Sequence, residues 1–131
     1  MRKLAAGIEL LERKARQARA TVVQMACDGK EGHLSSSLSC VDVLVALYNG
    51  WLRVEPDEPK RPDRDRFFMS KGHAVSALYA VLADRGFIPV EWLAEYATQD
   101  AKLRNHPDRY ALPLLECAGG FFVRIWPSGC C

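Results

Sequence analysis

A single stretch of this sequence, Arg66-Phe67-Phe68-Met69-Ser70, reads as a β-strand, and it limits the fold more than any other feature. A strand standing alone leaves donors and acceptors unpaired along both edges, so it cannot make a sheet by itself. Its partners must lie in the tail of the chain or outside it.

The rest of the chain before the tail carries helical signals. Leu4, Ile8, Leu11, Ala15, Ala18, Val22 and Met25 recur in alternating steps of four and three, which lays them on one face of a long helix that Gly29 should stop. A second helix is expected from Ser39, where Ser39 and Asp42 have capping-box spacing, through Val43, Leu44 and Leu47 to Asn49-Gly50. It is apolar nearly all round and should be buried. Between Glu55 and Arg66, Pro56, Pro59 and Pro62 stand among charges, which excludes helix interior and suits an extended surface loop. Lys71-Gly72-His73 then opens a third helix through Leu78, Val81 and Leu82 that Gly86 should end, and Pro89 fits the first turn of a fourth, Val90 to about Tyr96. From Thr98 to Pro113 the chain is polar, with Asn105-His106-Pro107-Asp108 reading as a turn.

Composition excludes several classes of function. With 49% hydrophobic and 26% charged residues over 131 positions, the chain has the proportions of one soluble globular domain, or part of one. A net charge of +2 is too weak to argue for nucleic acid or a membrane surface. No apolar run is long enough to span a bilayer, and residues 1–12 lack the apolar block of a secretory signal, so a cytoplasmic location is expected. Cys27, Cys40, Cys117, Cys130 and Cys131 form an odd set without CxxC or zinc-like spacing and read as reduced, structural residues.

The chemistry-bearing residues are three histidines in loop-like contexts: His33 before the second helix, His73 after the strand, and His106 in the last turn. The strand, glycine-bearing turn and helix start from Met69 to Ala74 would offer backbone N–H groups, a usual setting for an anion. Together the imidazoles could handle protons near neutral pH, or they could bind zinc, and their spacing does not decide between the two. The sequence contains no HExxH, GxSxG or GxxxxGK[ST], which removes several hydrolase and nucleotide-binding readings.

The order of these residues resembles a family. Gly32-His33, then Ser36-Ser37-Leu38-Ser39 and Asp42-Val43-Leu44, then Arg61-Pro62-Asp63-Arg64-Asp65-Arg66-Phe67 leading into Ser70-Lys71-Gly72-His73, is similar to transketolases and their separately encoded N-terminal subunits. His106-Pro107, Glu116 and Gly120 continue the match, which runs unbroken from about Leu11 to Gly120. The resemblance implies an α/β fold, this chain being the N-terminal fragment of a thiamine-diphosphate-binding parallel-sheet domain, mostly helical in the part present. It implies transfer of two-carbon ketol units between sugar phosphates, with thiamine diphosphate and Mg²⁺ as cofactors. His33 would approach the thiazolium and the substrate, and His106 the substrate hydroxyls. His73 would lie on the diphosphate side, with Gly120 also on the cofactor, and no residue here is assigned to the metal. The partner would be a C-terminal subunit or a second protomer, which supplies the acid that activates the cofactor.

The sequence also departs from the family. Leu34-Ser35 follows His33 where the family has Pro-Gly or Leu-Gly, so a serine replaces a freer glycine. After Gly120 the family continues into a glycine-rich turn, a GDG motif and an asparagine that hold the metal and diphosphate, and none of these occurs here. Residues 1–120 are therefore expected to be a partial domain and residues 121–131 a non-family tail. Codons for that tail read one base later permit glycine-bearing strings close to the family's turn, which suggests a frameshifted or truncated frame. Without the GDG segment, ordinary cofactor binding and activity of this chain alone should be lost. The alternative reading is a non-catalytic helical binding module, or a remnant that docks onto an intact subunit.

Overall fold

The long helix expected at the start of the chain is α1, Ile8–Gly29, in a computed structural model that describes residues 7–30, 33–98, 101–104 and 112 and the backbone of 117–118. Ala15, Ala18, Val22 and Met25 are buried along one face and Leu11 packs at its edge, as the four-and-three spacing requires. Ile8 is 70% exposed, so the seam begins one turn later than the pattern suggests, and Leu4 lies outside the described residues.

Two glycines expected to stop helices act differently. Gly29 lies within α1, and the left-handed residue that ends the helix is Lys30, with φ 49°. A Cβ at Gly29 would stand 2.8 Å from the carbonyl oxygen of Tyr96, so this glycine is what lets the two segments approach. Gly86 does terminate its helix, with φ +81° and open space where a Cβ would be. Gly29→Ala gains about 1 kcal/mol of helix propensity, but backbone must move to relieve the clash, at about 1–3 kcal/mol. Gly86→Ala meets no clash and costs about 1 kcal/mol, the left-handed penalty alone. Urea denaturation should therefore show both variants destabilised, and a Gly29→Ala protein more stable than the parent would contradict the close approach.

The helix closed by Gly86 is the hub of the fold. In α4, Val75–Asp84, every residue from Val75 to Ala83 is buried, and α1, α3 (Val41–Ala46) and the 3₁₀ turns of Val90–Glu95 all pack on it. A helix apolar on all sides must be surrounded. Its end is a Schellman motif: the Gly86 N–H donates to Ala83 O at 3.0 Å and the Phe87 N–H to Leu82 O at 2.9 Å.

The second helix differs most from expectation. A five-residue α2, Leu34–Leu38, comes first, Cys40 rather than Ser39 precedes α3, and no capping box forms. The chain then passes into a π-helical turn, Leu47–Trp51, where the Leu52 N–H reaches Leu47 O at 2.7 Å. Nor is α3 buried all round. Val41, Leu44 and Val45 face inward, Val43 is 60% exposed, and Asp42 forms an ion pair with Arg19 of α1. The fourth helix is 3₁₀, with the Trp92 N–H on Pro89 O and the Tyr96 N–H on Leu93 O.

The proline-bearing loop is a run of turns rather than an extended segment. Backbone bonds from Glu58 to Glu55, Arg61 to Glu58 and Arg64 to Arg61 place Pro56, Pro59 and Pro62 each at the second position of a turn, where the fixed proline φ is already correct. Arg61 pairs with Asp63 at 2.6 Å, and Arg53 with Asp65 at 3.1 Å. The Arg61 guanidinium holds the exposed Asp63 carboxyl below the usual carboxylate range by hydrogen bond and charge.

The strand is shorter than expected, and its partner is in the chain. β1, Phe68–Met69, pairs in parallel with β2, Cys117–Ala118, in the register Phe68 to Cys117 and Met69 to Ala118. Parallel strands need a crossover, and α4 lies in the connection between them. No helix among the described residues is long and apolar enough to cross a membrane.

Candidate functional site

Two of the three histidines meet. His33 is the residue before α2, and its carbonyl accepts from the Ser37 N–H at 3.0 Å. His73 sits in the single 3₁₀ turn Gly72–Ala74 that joins β1 to α4, between buried Gly72 and Ala74. Their rings stand edge to face, centroids 4.4 Å apart and planes at 86°. His33 is exposed and His73 half-buried, so the pair forms a surface ledge rather than part of the core.

The backbone around His73 is less available than the sequence suggests. The Ala74 N–H bonds to Lys71 O at 3.0 Å and the Val75 N–H to Gly72 O, so two amides expected to face an anion close the 3₁₀ turn instead. Lys71 points across to the end of α2, where its Nζ donates to Ser39 Oγ at 2.8 Å. Beneath the ledge, Ser37 Oγ and Ser76 Oγ share a buried hydrogen bond of 2.7 Å. Residue patterns alone assign none of these hydroxyls a role. The available signal was a serine placed one helical turn after His33 and another three residues after His73.

His106 and Gly120, like the residues from 121 onward, lie outside the described residues. The segment that leads to His106 is anchored: Leu103 is fully buried, its carbonyl accepts from the Ala97 N–H at 3.1 Å, and the Tyr79 hydroxyl of α4 donates to Arg104 O at 2.9 Å. Among the described residues no group of three or more His, Cys, Asp or Glu is arranged to hold a metal ion.

Cys40 lies beside the ledge, its Sγ 3.3 Å from Ser37 O, and burial pushes its thiol above the ordinary range, an effect that the charge of Lys71 partly offsets. Cys27 is exposed on α1. At pH 8, iodoacetamide should label Cys27 faster than Cys40 by about tenfold or more, because thiolate fraction and access set the rate. Peptide mass mapping over time checks this, and equal rates would contradict the packing of Cys40.

A cleft of about 530 Å³ lies elsewhere. It lies between the π-helical turn and the proline loop, and Trp51, Arg53, Arg61, Arg64 and Arg85 are on its walls together with Glu55 and Glu58. Neither histidine lines it. Within it Arg61 pairs with Asp63 and Glu58, and Arg53 pairs with Asp65 beside it. The convergence of imidazoles is the stronger indication of chemistry.

Known proteins share this arrangement of sequence and backbone. Residues 11–122 match the family model described as transketolase, thiamine diphosphate binding domain. An apulose-4-phosphate transketolase subunit of Phocaeicola vulgatus is 43% identical over 100 residues, 76% of this chain and 36% of that one. The 6-deoxy-6-sulfo-D-fructose transketolase subunit of a Clostridium species is 43% identical over 77 residues, 59% of this chain and 28% of that one. Among solved structures, a transketolase from Leishmania mexicana matches with a TM-score of 0.79 at 26% identity, over 84% of this chain and 17% of that chain. The chain thus spans well under half the length of the curated relatives it matches.

Proposed function

The chain belongs to the transketolase family through its thiamine diphosphate binding domain, and from that premise we propose that it contributes the histidine-bearing part of a site for two-carbon ketol transfer between sugar phosphates. The observation that carries this reading is the meeting of His33 and His73, 4.4 Å apart, from two elements well separated in sequence.

The residues present fit one side of such a cofactor. Two imidazoles on an open ledge, whose ring nitrogens can donate or accept hydrogen bonds, suit an anionic diphosphate and a hydroxylated substrate. Thiamine diphosphate, when bound, supplies the electron sink for breaking and making the ketol carbon–carbon bond. In this proposal His33 orients the substrate and handles its proton, while His73 binds on the diphosphate side. His106 bonds substrate hydroxyls, and the anchoring of Arg104, two residues earlier, on α4 supports that role. Gly120 belongs to the cofactor side, Mg²⁺ accompanies the diphosphate, and a C-terminal subunit or second protomer completes the site.

Residues 1–120 make up the domain in this reading and 121–131 a segment outside the family pattern. The 131 residues contain no Gly-Asp-Gly. A diphosphate without its metal ligands remains an uncompensated charge, so the chain by itself is expected to give no ketol transfer and no calorimetric binding of thiamine diphosphate with Mg²⁺. Measurable turnover by the 131-residue chain would overturn this. If the chain joined to a Gly-Asp-Gly segment and a partner domain neither binds thiamine diphosphate with Mg²⁺ in calorimetry nor turns over, the docking-module reading is favoured.

A further inference from the structure

We propose that the buried hydroxyl pair Ser37–Ser76 is a positioning device that sets the edge-to-face geometry of His33 and His73. The inference rests on the functional reading above only for its consequence; the geometry itself belongs to this chain.

Tyrosine hydroxyls aside, Ser37 and Ser76 are the buried polar side chains among the described residues, at 0% and 5% exposure, within a core of apolar and aromatic residues. They come from the two elements that carry the histidines. Ser37 lies one helical turn after His33 in α2, and Ser76 lies in the first turn of α4, three residues after His73. Their oxygens are 2.7 Å apart, so each hydroxyl gives the other its partner. Burying a hydroxyl without a partner is costly, and a slip of either element would leave both unpaired.

Ser37 is the one buried residue of α2. Five residues, three of them serine, cannot hold a helix by propensity, because nucleation is unfavourable and serine is a poor helix interior. Leu34 is exposed and Leu38 only partly buried, so apolar packing locates the element weakly. Hydrogen bonds are directional and dispersion contacts are not, so the serine pair defines register where leucines alone would tolerate several. Lys71 Nζ to Ser39 Oγ, 2.8 Å, is a second link between the same elements, but it is exposed and screened by water. The inner bond therefore controls the placement of His33 and the outer one adds little.

The test reads ring geometry directly and does not depend on activity. In an edge-to-face pair, the edge protons of one imidazole sit over the face of the other and their NMR signals move upfield. With ¹³C/¹⁵N-labelled 131-residue protein, the ring protons of His33 and His73 are assigned and followed in Ser37→Ala, Ser76→Ala, the double variant, and Lys71→Met. Each single variant strands one buried hydroxyl and should lower the folding equilibrium constant on the order of tenfold. The double variant leaves no orphan and should recover most of that loss. Its upfield displacement should nevertheless shrink about twofold or more, because the ring contact depends on held geometry. Lys71→Met should keep the displacement.

Recovered stability with lost displacement supports positioning. An unchanged displacement in the double variant overturns it, as does an equal loss in Lys71→Met. If the double variant does not fold, Ser37→Cys, similar in size but a weak donor, is read in its place, and an unchanged displacement there also overturns the proposal. A failure here would leave the ketol-transfer reading intact, since that reading requires the histidines and not this means of holding them.

Discussion

His33→Ala is expected to lower ketol-transfer turnover on the order of a hundredfold, the range that general acid–base and orienting groups contribute, once this domain is joined to a Gly-Asp-Gly segment and its partner domain. Thiamine-diphosphate affinity should change by no more than about threefold in the same variant if His33 serves the substrate side, as proposed. His73→Ala should do the reverse, weakening cofactor binding about tenfold with a smaller loss at saturating cofactor. His33 precedes a short helix on an exposed ledge, whereas His73 sits in a tight turn between buried Gly72 and Ala74 and its surroundings are already fixed. Steady-state kinetics at varied cofactor concentration separates the two effects. His106→Ala is grouped with His33, and equal effects of all three substitutions on affinity and turnover would defeat the division of roles.

Leu78→Ala should destabilise the fold by about 2–5 kcal/mol, the range for truncating a fully enclosed leucine. Leu78 has no exposed surface and lies at the centre of a helix buried from Val75 to Ala83, with α1 and α3 packed on it. A cavity there has walls held by several elements at once, so little of it can collapse, and the loss should fall in the upper part of the range. Domains of this size have only about 5–15 kcal/mol of stability, so the midpoint in urea should drop steeply. Val43→Ala, on the 60% exposed side of α3, is the control and should change stability by no more than about 0.5 kcal/mol. If the two variants unfold alike, α4 is not the hub described.

The features readable from sequence were those governed by local periodicity. The face of α1 followed from spacing alone, and Gly86 was identified as a helix stop because its left-handed φ is a backbone requirement. The resemblance to transketolases, carried by the Gly-His, DRDRF and SKGH blocks, agrees with the family match over residues 11–122. Tertiary approach was not readable. Gly29 looked like a second helix stop, but its lack of a side chain serves the carbonyl of Tyr96, almost seventy positions away by sequence. Likewise α2 escaped notice because three serines in five residues give no helical signal; tethering at Ser37 and Ser39 holds it where propensity would not. The meeting of His33 with His73 came only from family resemblance, since no periodicity links residues in different elements.

The pairing of Phe68 with Cys117 also bears on the order in which the molecule assembles. It closes a loop of roughly fifty residues, and such closure is slow even where its effect on final stability is modest. The helical contacts among α1, α3 and α4 need none of the residues beyond Gly86, so a growing chain can bury most of its apolar surface before the second strand has been synthesised. Until then β1 lacks its β2 partner as well, and during that interval the chain's risk of pairing with the wrong partner is greatest.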